Sequence, residues 1–172
     1  MLQDRPNTLW DFVSHVLEYR SCKKITGFVM PSTIYSKPDI QSLIKKSTAA
    51  REYSYSPYSK FKVGAGVLCT DGIIFTGCNV ENASYPVGTC AERTAIVKAV
   101  SEGKRKFKVL AVVANKVNNI FTTPCGFCRQ AIAEFGDIPI YLAEPLMKDV
   151  LKTSLSNLLP CPFGLGNAEI LQ

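Results

Sequence analysis

The pattern of apolar and polar positions divides the chain into two unequal parts. In the first part, residues 1–37, apolar residues recur at helical spacing only over one short stretch, Trp10 to Leu17. Glycine and proline then interrupt a segment that has no strong period. We therefore expect residues 1–37 to form an appended N-terminal arm with one short amphipathic helix, and residues 38–172 to form the main domain.

From Asp39 onward the pattern is regular, and helical and strand-like stretches follow one another without an internal repeat. Asp39 follows a proline and is expected to cap the first helix. The Asp71-Gly72 pair between two β-rich stretches is a strong hairpin signal. The predicted elements, in chain order, are a helix from Asp39 to Glu52, strands from Val63 to Cys69 and from Ile73 to Asn79, a helix from Cys90 to Glu102, a strand from Leu110 to Ala114, a helix from Cys125 to Phe135, a strand from Pro139 to Ala143 and a helix from Met147 to Leu159.

The order of these elements predicts an α/β fold. After the hairpin, strands alternate with helices, which requires parallel connections and helices on both faces of the sheet. The continuous apolar stretch from Leu110 to Ala114 is typical of a strand that is buried on both faces. Gly64 and Gly66 indicate that a packed helix or a ligand closely approaches the first strand. We expect a three-layer α/β/α domain with a mixed sheet of about five strands.

The composition is that of an ordinary globular protein. The chain has 172 residues, of which 47% are hydrophobic and 20% charged, and this length suits one domain with a sizeable core. The formal net charge is +6, but the basic residues occur in short groups, which indicates a solvated surface rather than a nucleic-acid-binding face. No apolar stretch approaches the ~20 residues of a membrane span, so none is expected.

Cysteine usage indicates metal binding rather than a disulfide framework. The count is seven, an odd number, and Cys125 and Cys128 form a Cys-x-x-Cys pair. We expect no secretory signal peptide, and Asp4, Asp11 and Glu18 count against a mitochondrial presequence. The expected compartment is therefore reducing, either the cytoplasm or the nucleus.

Three cysteines and one glutamate form the candidate centre. Cys90 is expected in the first turn of one helix, and Cys125 and Cys128 in the first turn of another, where helix N-termini favour thiolates. Three protein ligands leave a fourth position for water, and Glu92, which need not be a ligand, is placed to move the protons of that water. Arg93 is expected to donate to a cysteine sulfur and offset the negative charge of three thiolates. This layout predicts hydrolytic deamination.

Two other interpretations of the cysteines stay open on spacing alone. A Cys-x-x-Cys pair also occurs in redox centres and in structural zinc sites, which usually close with a fourth cysteine or histidine. The single histidine, His15, lies in the arm together with Cys22. Buried apolar cysteine is the simpler interpretation of the remaining three, Cys69, Cys78 and Cys161. The carboxylate of Glu92 favours catalysis over both alternatives.

The motifs around these residues resemble those of a known family. Cys90-Ala91-Glu92, followed by Pro124-Cys125 and Cys128, is the three-cysteine form of the zinc deaminase signature. The similarity extends from residue 39 to about residue 166 and is to the homotetrameric cytidine deaminases of pyrimidine salvage. The stretches that carry it are Pro57 to Ala65, Gly77 to Ala83, Tyr85-Pro86, Cys90 to Ala95, Cys125 to Gln130, Leu158 to Pro160 and Phe163-Gly164.

This resemblance implies an activity, an assembly and a role for each site residue. The chain would deaminate cytidine and deoxycytidine to uridine and deoxyuridine with release of ammonia, as a homotetramer with shared active sites. One zinc ion per subunit would be bound by Cys90, Cys125 and Cys128, and Glu92 would transfer protons. The implied substrate contacts are Phe61 against the pyrimidine ring, Asn79 and Glu81 at the ribose hydroxyls, the backbone of Ala91 at the polar edge of the base, and Tyr85 and Phe163 from neighbouring subunits.

Three positions depart from the family pattern. Ser84 stands where cysteine is common and Gly66 where alanine is usual, and both residues are small. Phe127, between the two zinc-binding cysteines of the second motif, is larger than the usual residue. We expect Phe127 to repack the wall of the site and to affect fine substrate preference.

Two alternative functions share part of this pattern. An editor of RNA or DNA bases would need an open, basic channel, whereas Asn79 and Glu81 suit the sugar of a free nucleoside. A zinc-stabilised interaction module without activity would not need the carboxylate of Glu92. We therefore expect a small nucleoside as the substrate, and neither a nucleic acid nor a membrane as a partner.

Overall fold

The computed structural model describes residues 28–31 and 37–164. The helix expected between Trp10 and Leu17 lies outside the described residues. The strands are β1 (Phe28–Pro31), β2 (Val63–Cys69), β3 (Ile74–Cys78), β4 (Phe107–Ala114), β5 (Pro139–Ala143) and β6 (Asp149–Ser154), and the helices are α1 (Pro38–Arg51), α2 (Ala91–Ser101), α3 (Gly126–Ala133) and α4 (Leu155–Leu158), with a short 3-10 turn at Tyr85–Val87.

The strands form one mixed sheet of six strands in the order β1-β6-β5-β4-β2-β3. Strands β4 and β5 pair in parallel and are connected through α3, whereas the other neighbouring pairs are antiparallel. The expected α/β fold with a mixed sheet is confirmed. The sheet has six strands rather than about five. The two strands that were not predicted are β1, which lies in the expected arm, and β6, which pairs with it.

Helices cover both faces of the sheet. On one face, Leu43 and Ile44 of α1 pack in a core cluster with Val113 and Val150 of the sheet. On the other face, α2 and α3 pack against side chains that include Val112 of β4. The three-layer arrangement therefore places α2 and α3, which carry the candidate ligands, on the same side of the sheet.

The tail differs from the expected helix between Met147 and Leu159. Asp149–Ser154 forms strand β6, which is antiparallel to β5, and only Leu155–Leu158 is helical. Val150 packs into the core on one face of the sheet and Leu151 into the core on the other, as successive residues of a strand do. The leucine spacing predicted one helical face, but pairing with β5 overrides it.

The start of the first helix also differs slightly from expectation. Lys37 is the N-cap of α1, Pro38 occupies the first helical position and Asp39 lies in the first turn. The expectation that Asp39 caps the helix is therefore wrong. Its carboxylate still lies close to the positive end of the helix dipole, where negative charge is stabilising.

Glycine residues let two helices approach the sheet closely. A Cβ atom on Gly64 would lie 2.1 Å from the carbonyl oxygen of Ser47, and one on Gly66 would lie 2.6 Å from the Ser47 hydroxyl, both in α1. A Cβ atom on Gly77 would lie 2.6 Å from the backbone nitrogen of Ala95 and 2.7 Å from the carbonyl oxygen of Ala91, both in α2. The group that approaches Gly64 and Gly66 is thus a helix and not a ligand.

Within the described ranges, no helix combines the length and apolarity that crossing a membrane requires.

Candidate active site and metal centre

The three candidate ligands lie where two helices begin. Cys90 immediately precedes α2, Cys125 immediately precedes α3, and Cys128 lies in the first turn of α3. Their Sγ atoms all lie within 4.8 Å of one another, and those of Cys90 and Cys125 are 3.8 Å apart. Cys90 and Cys125 make no capping hydrogen bond through their side chains, so their sulfurs remain available to a metal ion.

This arrangement fits a zinc ion. Four ligands at the corners of a tetrahedron with zinc–sulfur bonds of about 2.3 Å lie roughly 3.8 Å apart, which matches the separation of Cys90 and Cys125. Among the described residues, no fourth cysteine, histidine or carboxylate joins the group. A structural zinc site normally has four protein ligands, so three ligands favour an open, catalytic site.

The charges of the cysteines also call for a cation. The thiol of Cys128 donates to the thiolate of Cys90, which lowers the pKa of Cys90 below its usual range. The same interaction, together with burial, raises the pKa of Cys128. The protein alone therefore stabilises one thiolate of this pair, and a divalent cation is needed to balance the charge of several thiolates.

Glu92 lies in the first turn of α2, two residues after Cys90. Its side chain is buried, with only 4% of the residue exposed. Burial, with a smaller contribution from the negative charge of Cys90, raises the pKa of Glu92 to about 7. A carboxyl group with a pKa near neutrality can both accept and donate a proton at physiological pH.

Arg93 contributes positive charge beside the cysteines. Its Nη2 atom donates to the carbonyl oxygen of Gly88 at 3.1 Å, and its Nε atom is buried without a partner among the described atoms. Burial opposes its charge, but hydrogen bonding and charge interaction with Cys90, and to a smaller extent with Cys128, outweigh that effect and raise the pKa of Arg93. A permanent cation here reduces the electrostatic repulsion between neighbouring thiolates.

Phe127 lies outside the candidate cleft. Its ring packs against the guanidinium of Arg93, with 5.7 Å between Arg93 Cζ and the ring centroid, and 79% of the residue is exposed. Phe127 therefore borders the metal centre through Arg93. The expectation that it alters substrate preference stays a prediction.

One cleft adjoins the metal centre and has the size of a small-molecule site, about 520 Å³. It brings together Asn79, Glu81 and Tyr85 with the candidate ligand Cys90. Among the described residues, those that line it include neither lysine nor arginine. The cleft therefore joins the metal centre to polar groups that suit an uncharged polar ligand.

The two residues expected at the ribose lie at the end of β3 and just beyond it. The Oδ1 atom of Asn79 accepts hydrogen bonds from the hydroxyl of Ser54 and, at 2.8 Å, from the backbone nitrogen of Val63. Its Nδ2 atom donates to the carbonyl oxygen of Phe61 at 2.9 Å. The amide of Asn79 is therefore held firmly, and one of its N–H groups remains free for a ligand.

Glu81 is held by the loop that faces it. Its Oε2 atom accepts from the backbone nitrogens of Tyr58 and Ser59 at 3.0 and 3.2 Å, and its Oε1 atom accepts from the Ser59 hydroxyl. The bond from Ser59 is the largest of several that lower the pKa of Glu81. The group is consequently ionised at neutral pH and can accept from a sugar hydroxyl.

The remaining predicted contacts are more dispersed. Phe61 is half-buried, and Ala91 is fully buried as the first residue of α2. Tyr85 is 78% exposed and contacts Tyr58 edge to face, with 6.3 Å between ring centroids. Phe163 is 76% exposed, and neither Phe61, Ala91 nor Phe163 is among the described residues that line the cleft. One chain thus brings together the candidate metal centre and the two residues expected at the ribose, but not the whole predicted pocket.

Ser59 and Gln130 make contacts that were not predicted from the sequence. The amide of Gln130 both accepts from the Phe163 backbone nitrogen at 3.0 Å and donates to its carbonyl oxygen at 2.8 Å. Serine in a turn commonly bonds to nearby backbone, which is a weak signal for Ser59. The contact between Gln130 and Phe163 joins distant segments, so local sequence carries no signal for it.

The other cysteines among the described residues do not join the centre. Cys69 is buried in the core, as expected. Cys78 is half-buried and its Sγ atom donates to the carbonyl oxygen of Tyr53 at 3.4 Å. Cys161 is exposed, so the expectation that it is a buried apolar residue is wrong. It lies between two prolines in the tail rather than in a helix or strand.

Comparison with known proteins identifies close relatives. The chain is 52% identical over 127 residues to a cytidine deaminase from Sporosarcina psychrophila, which covers 73% of this chain and 91% of the relative. It is 44% identical over 128 residues to a probable cytidine deaminase from Dictyostelium discoideum, which covers 74% of this chain and 86% of the relative.

Solved structures agree in fold. The crystal structure of cytidine deaminase from Burkholderia pseudomallei matches with a TM-score of 0.67 and 45% identity, over 72% of this chain and 98% of that one. That of cytidine deaminase from Mycobacterium tuberculosis matches with a TM-score of 0.63 and 37% identity, over 75% and 100%. Residues 37–144 match the sequence model of the cytidine and deoxycytidylate deaminase zinc-binding region, and the chain therefore belongs to this zinc-binding deaminase family.

Proposed function

We propose that the protein is a zinc-dependent enzyme of pyrimidine salvage that hydrolyses cytidine and deoxycytidine to uridine and deoxyuridine, with release of ammonia. The observation that carries this proposal is the cleft itself. It joins Cys90 of the three-cysteine centre to the hydrogen-bonding groups of Asn79 and Glu81. Relatives named cytidine deaminases support the same assignment.

The chemistry divides between the metal ion and Glu92. Cys90, Cys125 and Cys128 would hold the zinc ion, which would supply Lewis acidity that makes water nucleophilic at neutral pH. A carboxylate oxygen of Glu92 takes up a proton from the nucleophile and delivers it to the ring nitrogen N3 of cytosine. Glu92 then carries the second proton, taken from the oxygen that has bonded to C4, to the amino group on C4. A C–O bond forms at C4, the C4–N bond breaks, and ammonia leaves.

Hydrogen-bond capacity at the sugar end supports both nucleosides as substrates. The oxygen of Asn79 already accepts two bonds, and one of its two N–H groups donates to Phe61. The other N–H group therefore remains to bind a ligand. Glu81 accepts three bonds and retains room for a further donor. Together the two residues satisfy one hydroxyl, which accepts from Asn79 and donates to Glu81. Because one hydroxyl suffices, loss of the other in deoxycytidine is tolerated.

We propose a homotetramer with shared active sites. Tyr85 and Phe163 are large aromatic residues that are mostly exposed in one chain. An apolar groove of about 700 Å³ between α2 and α3, which includes Val97 and Phe127, supports burial against another copy. Sedimentation at micromolar concentration tests this assembly. A stable monomer with full activity contradicts it, because the pocket would then not need residues from a neighbour.

The division of the chain belongs to the same proposal. Residues 38–172 form the deaminase domain and residues 1–37 an arm, which the start of the family match at residue 37 supports. Strand β1 shows that part of the arm pairs with the sheet. Deletion of residues 1–37 is expected to leave deamination intact, and a loss of activity in a folded, zinc-loaded deletion variant contradicts a dispensable arm.

The central experiment follows the ultraviolet absorbance of cytidine after addition of purified, zinc-loaded protein, beside the Glu92→Gln variant. We expect turnover by the wild type and very little by the variant. Absence of turnover by folded, zinc-loaded wild type overturns the proposed activity. Equal rates for the two proteins overturn the role of Glu92 alone.

A further inference from the structure

In the loop from Ser56 to Phe61, two consecutive residues donate hydrogen bonds to the carboxylate of Glu81. The backbone nitrogens of Tyr58 and Ser59 both donate to Oε2, and the hydroxyl of Ser59 donates to Oε1. Both oxygens of one carboxylate are therefore bound by one turn. Such charge-assisted bonds are stronger than those between neutral groups.

The same hydroxyl also binds the backbone of Phe61. Ser59 Oγ accepts from the Phe61 nitrogen at 3.0 Å, while the Phe61 carbonyl oxygen accepts from Nδ2 of Asn79 at 2.9 Å. Both backbone polar groups of Phe61 are thus held by residues that line the sugar end of the cleft. Phe61 is the residue expected to pack on the pyrimidine ring.

Lys60, between Ser59 and Phe61, adopts a left-handed backbone conformation with φ of 57°. Residues other than glycine rarely adopt this conformation unless their surroundings impose it. The backbone nitrogen of Lys60 donates to the carbonyl oxygen of Ser56 at 3.1 Å, which closes the turn. After this turn, Phe61 is held by the Ser59 hydroxyl at its backbone nitrogen and by Asn79 at its carbonyl oxygen, while Ser59 is itself bound to Glu81.

We infer that Ser59 is a positioning residue that fixes the base-packing residue Phe61 relative to the sugar-binding residue Glu81. The inference rests on the proposed function, because the two parts of the cleft are assigned from it. Ser59 acts through Glu81 and Phe61 and takes no part in the proton transfers. It sets the spacing at which one nucleoside can contact both ends of the pocket.

Removal of the hydroxyl in Ser59→Ala leaves the Phe61 nitrogen and one oxygen of Glu81 without this partner. We expect KM for cytidine to rise about tenfold, because hydrogen bonds to charged groups typically contribute that much or more, with kcat changed less than about twofold. Ser59→Thr keeps the hydroxyl and is expected to restore KM. Ser156→Ala is the matched control, because the exposed Ser156 hydroxyl pairs with the Ser154 hydroxyl and Ser156 is not among the described residues that line the cleft.

A double-mutant cycle with Glu81→Ala separates positioning from direct contact with substrate. If Ser59 acts through Glu81, then adding Ser59→Ala to Glu81→Ala changes KM by much less than it does in the wild type. Fully additive effects overturn the inference, because Ser59 would then act on the substrate or on the fold independently of Glu81.

Hydrogen exchange at the Phe61 backbone amide tests the link without any turnover. We expect slow exchange in the wild type and in Ser59→Thr, and faster exchange in Ser59→Ala with unchanged exchange in the core strand β4. Unchanged exchange at Phe61 in Ser59→Ala overturns the link. An inactive, zinc-loaded wild type instead overturns the proposed function, so the two failures are distinguished.

Discussion

The two ends of the cleft are built in different ways. At the metal end, the ligands Cys90, Cys125 and Cys128 lie at the starts of two helices that pack on the same face of the sheet, and Glu92 is buried beside them. At the sugar end, the polar groups lie on loops and are held by bonds between side chains and backbone, as for Glu81.

This difference indicates which kinetic constant each end controls. The metal end is fixed by helices packed on the sheet, and its groups are proposed to act on the reacting atoms. The sugar end is fixed by a local hydrogen-bond network, and its groups are proposed to bind a part of the substrate that does not react. Changes at the metal end should therefore lower kcat, and changes at the sugar end should raise KM.

Loss of a ligand should have the largest effect. Cys128→Ala removes a buried sulfur from the centre, so we expect zinc to be lost and kcat/KM to fall on the order of a thousandfold or more. Metal analysis beside the absorbance assay measures both. Cys161→Ala, which changes an exposed cysteine in the tail, is the control. One zinc ion per chain and full activity in Cys128→Ala would contradict the assigned ligand set.

Glu92→Gln should lower kcat by about 10² to 10⁴, because the amide cannot transfer protons. Its shape is nearly unchanged, so zinc content and the affinity for the product uridine, measured by calorimetry, should stay within about twofold of wild type. A rise in KM with an unchanged kcat would contradict the assignment of kcat to the metal end and of KM to the sugar end.

Glu81→Ala should raise KM for cytidine by about 10- to 100-fold, since it removes a charged acceptor, with little change in zinc content. The loop from Tyr58 to Phe61 loses its hydrogen bonds to Glu81 at the same time. We therefore expect kcat/KM to fall for every nucleoside substrate. Steady-state kinetics on cytidine and deoxycytidine measure the effect. A fall in kcat alone would show that Glu81 belongs functionally to the metal end.

Gly77→Ala should have the smallest effect and should act through the packing of α2. The added methyl group meets the backbone of Ala91 and Ala95, and such overpacking costs about 1–3 kcal/mol of unfolding free energy. Because α2 follows Cys90, zinc affinity should fall as well, while uridine affinity changes little. Denaturant unfolding and zinc titration measure these effects. Gly164→Ala, where an added Cβ atom would have no contact within 4 Å among the described residues beyond its chain neighbours, should be neutral.

The elements that were predictable from the sequence are those with a strong local signal. Asp71-Gly72 predicted the hairpin, and the cysteine motifs predicted where α2 and α3 begin. The clustering of the three cysteines was therefore predictable as well. Strand β6 was not predictable, because its leucines also fit a helical face and only its pairing with β5 decides between the two.

The network around Ser59 shows a second limit of sequence. Its bonds reach Glu81, which is distant in the chain, and they form only because the loop and the end of β3 lie side by side. Residue types alone indicate that serine can bond to backbone, but not which acceptor it finds. The chemistry of the site was therefore easier to predict than the contacts that position it.

Strand β1 has a consequence for the order of folding. In β1, Phe28 pairs with Lys152 of β6, so this strand pair connects segments near opposite ends of the described chain. The β2–β3 hairpin instead connects segments that are neighbours in sequence. Closing so long a loop loses more chain entropy than closing a hairpin, and a short edge strand regains little of it. We therefore expect β1 to dock last during folding and to detach first on unfolding, before the sheet that carries the cleft is disturbed.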